Sequence, residues 1–347
     1  MVGTSCPPSA ATRARPLASA YAASRILLAL QRAGASRATT MLRTRPRPGR
    51  TVAGGAIRPI ANLAAMHDRQ LRGHRFVGGL DVFEKRSFWP TFFSKVVARL
   101  QWDAAAIDLT ADARAWPELP PERRDRLMPL LAGFCVAEEA VAGELSPFAD
   151  VAREATLASQ ENLVAWVFFL QRRDEQRHAA LFDRIAAEVL RLPGDTPAER
   201  RAAARAHVAH PVLDLFEVRL PTMAAELAAR RAGLAEGISL YHMLLEGVVF
   251  DAGQHALLDD LADGALPGVR EGVGRVELDE RWHVGFGLRC LIESQPSQEL
   301  IEDLLVRAEE ASAAWGDAVP PATRRRAAEM CHHRLAVAGL IEHRAAA

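Results

Sequence analysis

Tyrosine is scarce in this chain: two residues, Tyr21 and Tyr241, against 13 phenylalanines. Cysteine is scarce too, and Cys6, Cys135, Cys290 and Cys331 are widely scattered with no C-x-x-C pair among them. That spacing argues against a structural zinc knuckle, an iron–sulfur cluster and a disulfide framework, and it fits a protein of the reducing cytoplasm. Net charge is also lacking. With 43 basic and 43 acidic residues, no overall field draws the molecule onto nucleic acid or an anionic membrane. No apolar run approaches the roughly 20 residues that cross a bilayer, and the best, 26–30, is short and flanked by arginines. Acidic residues are missing from the N-terminal stretch, where no Asp or Glu occurs before Asp68.

Residues 1–66, rich in Ala, Arg, Ser, Thr and Pro, read as a disordered basic leader. The composition resembles an organellar transit peptide, and it equally fits an over-extended start with Met41 or Met66 as the later one. The fold is therefore sought in 67–347. There, 49% apolar content across the whole chain is ample for a large core. After Gly78 and Gly79 the sequence becomes a series of Ala/Leu/Glu/Arg-rich segments broken by Pro and Gly, with few alternating β-branched runs. Helices are expected over 122–145, 160–190, 197–207, 212–231, 238–261, 269–294, 298–314 and 321–342, with breaks at Pro147, Pro193, Gly233 and Pro267. No solenoid-length repeat is present, so the expectation is one all-α bundle.

The informative pattern is a pair of Glu-x-x-His motifs, Glu175 with His178 and Glu280 with His283, each preceded at a distance by a helix with a lone Glu on its apolar face, Glu138 and Glu246. Residues three apart share a helical face, so each motif aims a carboxylate and an imidazole at one point. Glu138 shares its face with Phe134, Val141 and Leu145, Glu175 with Phe168 and Phe182, and Glu246 sits among Met243, Val249 and Phe250. Buried carboxylates at one locus need cations. Arginine is the alternative cation, from Arg172, Arg177 or Arg281, but the order Glu, Glu-x-x-His, Glu, Glu-x-x-His matches the ligand set of a ferritin-like four-helix bundle with a dimetal carboxylate site. Oxygen-rich ligation with one imidazole per metal suits manganese or iron rather than zinc. Asp174 and Asp279 directly precede ligand glutamates and are candidates to hold a histidine by its second nitrogen, Asp279 being the favoured one. A third motif, Glu329 to His332, lies in the last helix with no partner Glu segment and reads as incidental.

With these residues in hand, the stretch from Phe76 to Cys290 resembles the small subunit of ribonucleotide reductase, and more closely the manganese/iron ligand-binding oxidases related to it. The resemblance rests on 79–85, on 107–112, on Glu138-Glu139-Ala140-Val141 followed by Ser146-Pro147-Phe148, and on Tyr241 placed five residues before Glu246. It implies that Glu138, not Glu139, is the ligand. Glu138, Glu175 and His178 would then hold manganese, with Glu175 bridging to iron held by Glu246, Glu280 and His283. It also implies an ether cross-link between Val141 and Tyr241, a long-chain fatty acid as bound ligand, use of O2, and a homodimer. Three alternatives come with it. A reductase small subunit storing its oxidising equivalent on the metals would carry Phe182 where a radical tyrosine otherwise stands, but the 343–347 tail has no tyrosine to relay a radical. An amine N-oxygenase would need a further metal histidine, for which His242 is poorly placed. An iron-storage protein would need cage assembly. Gln254 stands where the oxidases usually offer another tyrosine.

Overall fold

The computed structural model describes residues 89–155 and 161–342. The 1–66 leader, Cys6, Tyr21, the 79–85 stretch and the 343–347 tail lie outside the described residues.

Among the described residues every element is helical and no strand occurs. The short helices α1 (Trp89–Arg99) and α2 (Thr110–Ala115) precede four long rods. The first rod is α3 (Pro121–Glu144), opened by a proline where a missing N–H costs nothing. At its end α4 (Ser146–Glu154) starts at once, with Pro147 in its first turn, so the break expected at that proline is a change of direction between helices. The second rod, α5 (Glu161–Arg184), widens into a π-helical turn over Ile185–Val189. A connection follows through α6 (Pro197–Ala204), α7 (His210–Leu213) and α8 (Leu220–Ala228). The third rod comprises α9 (Leu234–Ile238), a π-helical stretch over Ser239–Phe250, and α10 (Asp251–Asp260). The fourth is α11 (Pro267–Glu293), after which α12 (Gln298–Ser312) and α13 (Pro321–Val337) pack against the third rod from outside.

The rods pair as a four-helix core: α3 lies along α5, the π-helical stretch lies along α11, and α5 contacts α11 to join the two pairs. The expected all-α bundle is the observed one. The expected helix 212–231 differs, being interrupted by a π segment over Asp214–Arg219 between α7 and α8. Helix 238–261 also differs, starting earlier and being π-helical through its middle. A 3.6-residue apolar period does not distinguish the two helix types when every side is buried, and all twelve residues of Ser239–Phe250 are buried.

The widened backbone of that stretch is held from outside. Trp315 donates its indole N–H to the Val249 carbonyl at 2.7 Å, and Arg334 of α13 donates to the Gly247 carbonyl at 2.8 Å. Backbone carbonyls freed from α-helical partners are expensive to bury unpaired, so these two donors stabilise the π geometry.

The start of α11 is fixed from another helix. Asp112 of α2 is fully buried, and its carboxylate accepts from the Gly268 and Val269 N–H groups at 3.0 and 2.8 Å. It acts as an N-cap supplied in trans, neutralising orphan donors at the positive end of the helix dipole. The contact requires glycine at 268, because a Cβ there would fall 2.2 Å from the Asp108 carbonyl oxygen. This explains why the 107–112 segment matters: it sets the origin of the helix that carries Glu280 and His283. Asp112→Ala should lower stability by about 1–2 kcal/mol and Asp112→Asn by less, read from the shift in urea midpoint at unchanged slope.

Candidate metal centre

All six residues with ligand chemistry face one another in the middle of the bundle. Glu138 comes from α3, Glu175 and His178 from α5, Glu246 from the π-helical stretch, and Glu280 and His283 from α11. Each is at most 4% exposed. His178 Nδ1 lies 3.3 Å from Glu175, 3.4 Å from Glu280 and 3.6 Å from Glu138. His283 Nδ1 lies 3.0 Å from Glu175, 3.2 Å from Glu280 and 3.4 Å from Glu246. The residues form two overlapping groups, Glu138/Glu175/His178/Glu280 and Glu175/Glu246/Glu280/His283, whose candidate ligand atoms lie within 4.8 Å of one another in each group. Glu175 was expected to be shared between the two positions. Glu280 is shared as well, with one oxygen toward each imidazole.

These groups fit divalent metals. Both oxygens of Glu138, one each of Glu175, Glu246 and Glu280, and Nδ1 of His178 are buried without a hydrogen-bond partner. Such orphaned atoms cost free energy unless something binds them, and carboxylate with imidazole suits manganese or iron. The arginine alternative fails on direction: Arg172 donates to the Ala142 carbonyl, Arg177 to Asp174 and Asp279, and Arg281 to Glu277. Without cations, protons must share the site. Burial pushes the Glu138 carboxyl up to about 8. Burial also raises Glu246 well above the carboxylate range, with the charge of Glu280 adding to it. For Glu175 burial is outweighed by the His283 and His178 imidazoles, which hold it low.

Around the ligands a second set of groups orients the imidazoles. His178 Nε2 lies 3.1 Å from Asp279, which makes that nitrogen an N–H donor and turns Nδ1 toward the carboxylates, where it would meet a metal. His283 Nε2 faces Asp174 at 3.8 Å. Each acid therefore backs the histidine of the other motif. Asp279 also accepts from the Trp102 indole at 2.8 Å and from Arg177 at 2.9 Å. Arg177 lies over the Trp102 ring at 5.0 Å, and that ring stacks on His178 at 6.2 Å between centroids.

Tyr241 is fully buried, and its hydroxyl donates to Glu175 at 2.9 Å. Burial and the Glu175 and Glu246 charges raise its pKa, so it stays a phenol. Val141 is also fully buried, one turn after Glu138 on α3. Glu139 points outward and pairs with Arg201, so Glu138 is the inward member of the pair. His242 is buried with Nε2 3.1 Å from Gln171, away from both ligand groups, and burial keeps it neutral. Glu329 of the third motif is exposed, and Cys135, Cys290 and Cys331 are buried free thiols. Gln254 is buried.

One end of the site is closed by aromatic rings one turn from the ligands. Phe134 stacks on Phe182 at 5.0 Å and meets Phe250 and Trp315, each at 5.2 Å, while Phe250 stacks on Phe216 at 5.0 Å. This wall excludes water and lowers the local dielectric, which strengthens every charge interaction inside.

The sequence reading missed Gln171 and Trp102 as partners of the site, and it weighed Arg177 only as a cation for the glutamates, not as a partner of Asp174 and Asp279. A signal existed for Gln171, an amide one helical turn before Glu175 on an otherwise apolar face. Trp102 sits between helices, where no periodicity points inward.

No family model matches the chain. Among solved structures it is similar to point variants of an R2-like ligand-binding oxidase. One with an aerobically reconstituted Mn/Fe cofactor has TM-score 0.57 and 20% identity over 74% of this chain and 92% of that chain. One with an aerobically reconstituted Fe/Fe cofactor gives the same values. A third, with an anaerobically reconstituted Mn/Fe cofactor, has TM-score 0.56 and covers 86% of that chain. The likeness is one of fold, a ferritin-like helical bundle.

Asp279→Ala should remove the hydrogen bond that fixes the His178 tautomer and weaken metal binding about 10–100-fold, measured by competition with a chelator of known affinity.

Proposed function

We propose that this chain is an O2-activating dimetal oxidase with manganese held by Glu138, Glu175, His178 and Glu280, and iron held by Glu175, Glu246, Glu280 and His283. The carrying observation is the pair of buried carboxylate–imidazole groups that share Glu175 and Glu280, with a phenol hydrogen-bonded to one shared carboxylate. The metals, when bound, supply O2 activation and the oxidising equivalents. The neighbours' Mn/Fe and Fe/Fe cofactors support the choice of metals, with a di-iron form as the second possibility. A long-chain fatty acid is the ligand we assign, in keeping with the ligand-binding neighbours, and a homodimer in the cytoplasm is the state we assign. No described helix is long and apolar enough to cross a membrane.

The chain's own residues perform definite tasks. Asp279 and Asp174 face the outer nitrogens of the two imidazoles, which would turn the Nδ1 atoms toward the metals. The phenylalanine wall keeps water from the centre. Tyr241 has its proton acceptor, Glu175, already at 2.9 Å. Joining the Val141 Cβ to the Tyr241 oxygen forms a C–O bond and removes one hydrogen from each residue, with O2 as terminal oxidant.

Three measurements test this reading. Metal-free protein should bind two divalent ions per chain; Glu138→Ala should retain one and Glu175→Ala neither tightly. Because the Glu138 carboxyl sits at about 8 in the absence of metal, loading should release protons, and affinity should climb as pH rises toward that value. Peptide mapping after loading with manganese and iron and exposure to O2 should find the Val141 and Tyr241 peptides joined, two hydrogens lighter. Separate peptides from protein with bound, oxidised metals would remove the cross-link from the reading.

A further inference from the structure

The buried polar groups beside the site form a chain of hydrogen bonds with one direction. Gln171 is fully buried on α5, and its amide nitrogen lies 2.9 Å from Glu246 and 3.1 Å from the Tyr241 hydroxyl. The amide NH2 faces Glu246, and a metal-holding carboxylate there would only accept, which orients the amide. The Gln171 oxygen then faces His242 Nε2 at 3.1 Å, and that nitrogen must carry its hydrogen. With its oxygen already accepting from Gln171, Tyr241 directs its own hydrogen to Glu175. The donors run from His242 to Gln171 to Tyr241 and end on Glu175 as the acceptor, with a branch from Gln171 to Glu246.

Two features of the backbone make this possible. In an α-helix Tyr241 and Glu246, five residues apart, would point about 140° apart; the i→i+5 pattern of the π-helical stretch brings them toward one face, where a single amide reaches both. On the facing rod, Gly287 leaves room for the His242 ring: a Cβ there would lie 2.2 Å from His242 Cβ and 2.3 Å from Cγ.

We infer that Gln171, anchored by His242, is a positioning residue that sets the direction of the Tyr241 hydroxyl and holds Glu246 in register with it. The inference concerns the phenol and the amide, so it rests on the proposed oxidase reading only where cross-linking is used as a readout. Any oxidation of Tyr241 on its oxygen would then start from one orientation, with the proton leaving to Glu175.

The test uses the full chain labelled with 13C at the tyrosine Cζ. Only two tyrosines exist, so the spectrum holds two signals, and Tyr241→Phe identifies that of Tyr241. In metal-free protein, Gln171→Met, which keeps the side-chain length and removes every hydrogen bond, should move the Tyr241 signal and leave Tyr21 in place. His242→Phe keeps a ring against Tyr241 but cannot donate to Gln171, and it should move the same signal in the same direction by less. In metal-loaded Gln171→Met, cross-linking should slow about five- to tenfold at equal metal content, the weight of one buried hydrogen bond. A Tyr241 signal unmoved by either variant would overturn the inference. Should Gln171→Met not fold, the His242→Phe shift alone decides it. A wild type that binds two metals without cross-linking would count against the oxidase reading while leaving the positioning inference to the labelled spectrum.

Discussion

The structure depends on burying four carboxylates together. Glu138, Glu175, Glu246 and Glu280 carry four negative charges when ionised, in a place where each unpaired charge costs several kcal/mol even after relaxation. Two divalent cations would balance that charge, with the two imidazoles neutral. The long rods exist to bring these side chains to one point, and the supports of the rods follow from the same need. Asp112 sets where α11 begins, and Trp315 and Arg334 satisfy the carbonyls of the π-helical stretch that presents Glu246. The last two helices carry no ligand, yet they hold the backbone that does.

The core and the convergence of the candidate ligands were legible in the sequence for a simple reason. A helix repeats its faces, so a carboxylate three residues before a histidine on an apolar face must point inward with it. Glu175 and His178, Glu280 and His283 need no tertiary information to be paired. The choice between Glu138 and Glu139 did need it, because adjacent residues diverge by only about 100° on a helix. Resemblance chose Glu138, and the bundle turns Glu139 outward to Arg201. What could not be read was set by backbone geometry and by distant segments. The π-helical stretch looks like any buried apolar helix, and Trp102 reaches Asp279 from a connection with no period of its own. The sharing of Glu280 by both imidazoles depends on how α5 and α11 face each other, which no local pattern encodes.

Asp174 and Asp279 show how the two motifs are interlocked. Each acid is adjacent in sequence to the glutamate of its own motif, yet each faces the histidine of the other. Sequence adjacency left open which histidine each acid would face; successive residues on a helix point in different directions, so the acid beside a candidate ligand is turned toward the neighbouring rod. The consequence is mechanical coupling: a shift of α5 relative to α11 disturbs both imidazoles at once. Arg177 bonds both acids and ties the two supports together at the point where the rods meet.

The scarcity of tyrosine acquires a physical meaning beside such a centre. An oxidising site, as proposed, would attack the phenols within its reach, and here the rings that wall it are phenylalanines: Phe134, Phe182 and Phe250 each stand one turn from a candidate ligand. A hydroxyl on any of them would need a buried partner and would offer a second point of oxidation. The one phenol among the described residues is Tyr241, whose oxygen is held by Gln171 and whose hydrogen is directed to Glu175. Under the proposed reading, reactivity would thereby be confined by composition as well as by geometry. The same apolar wall that raises the cost of burying charge leaves a single hydroxyl in contact with the carboxylates, in one orientation.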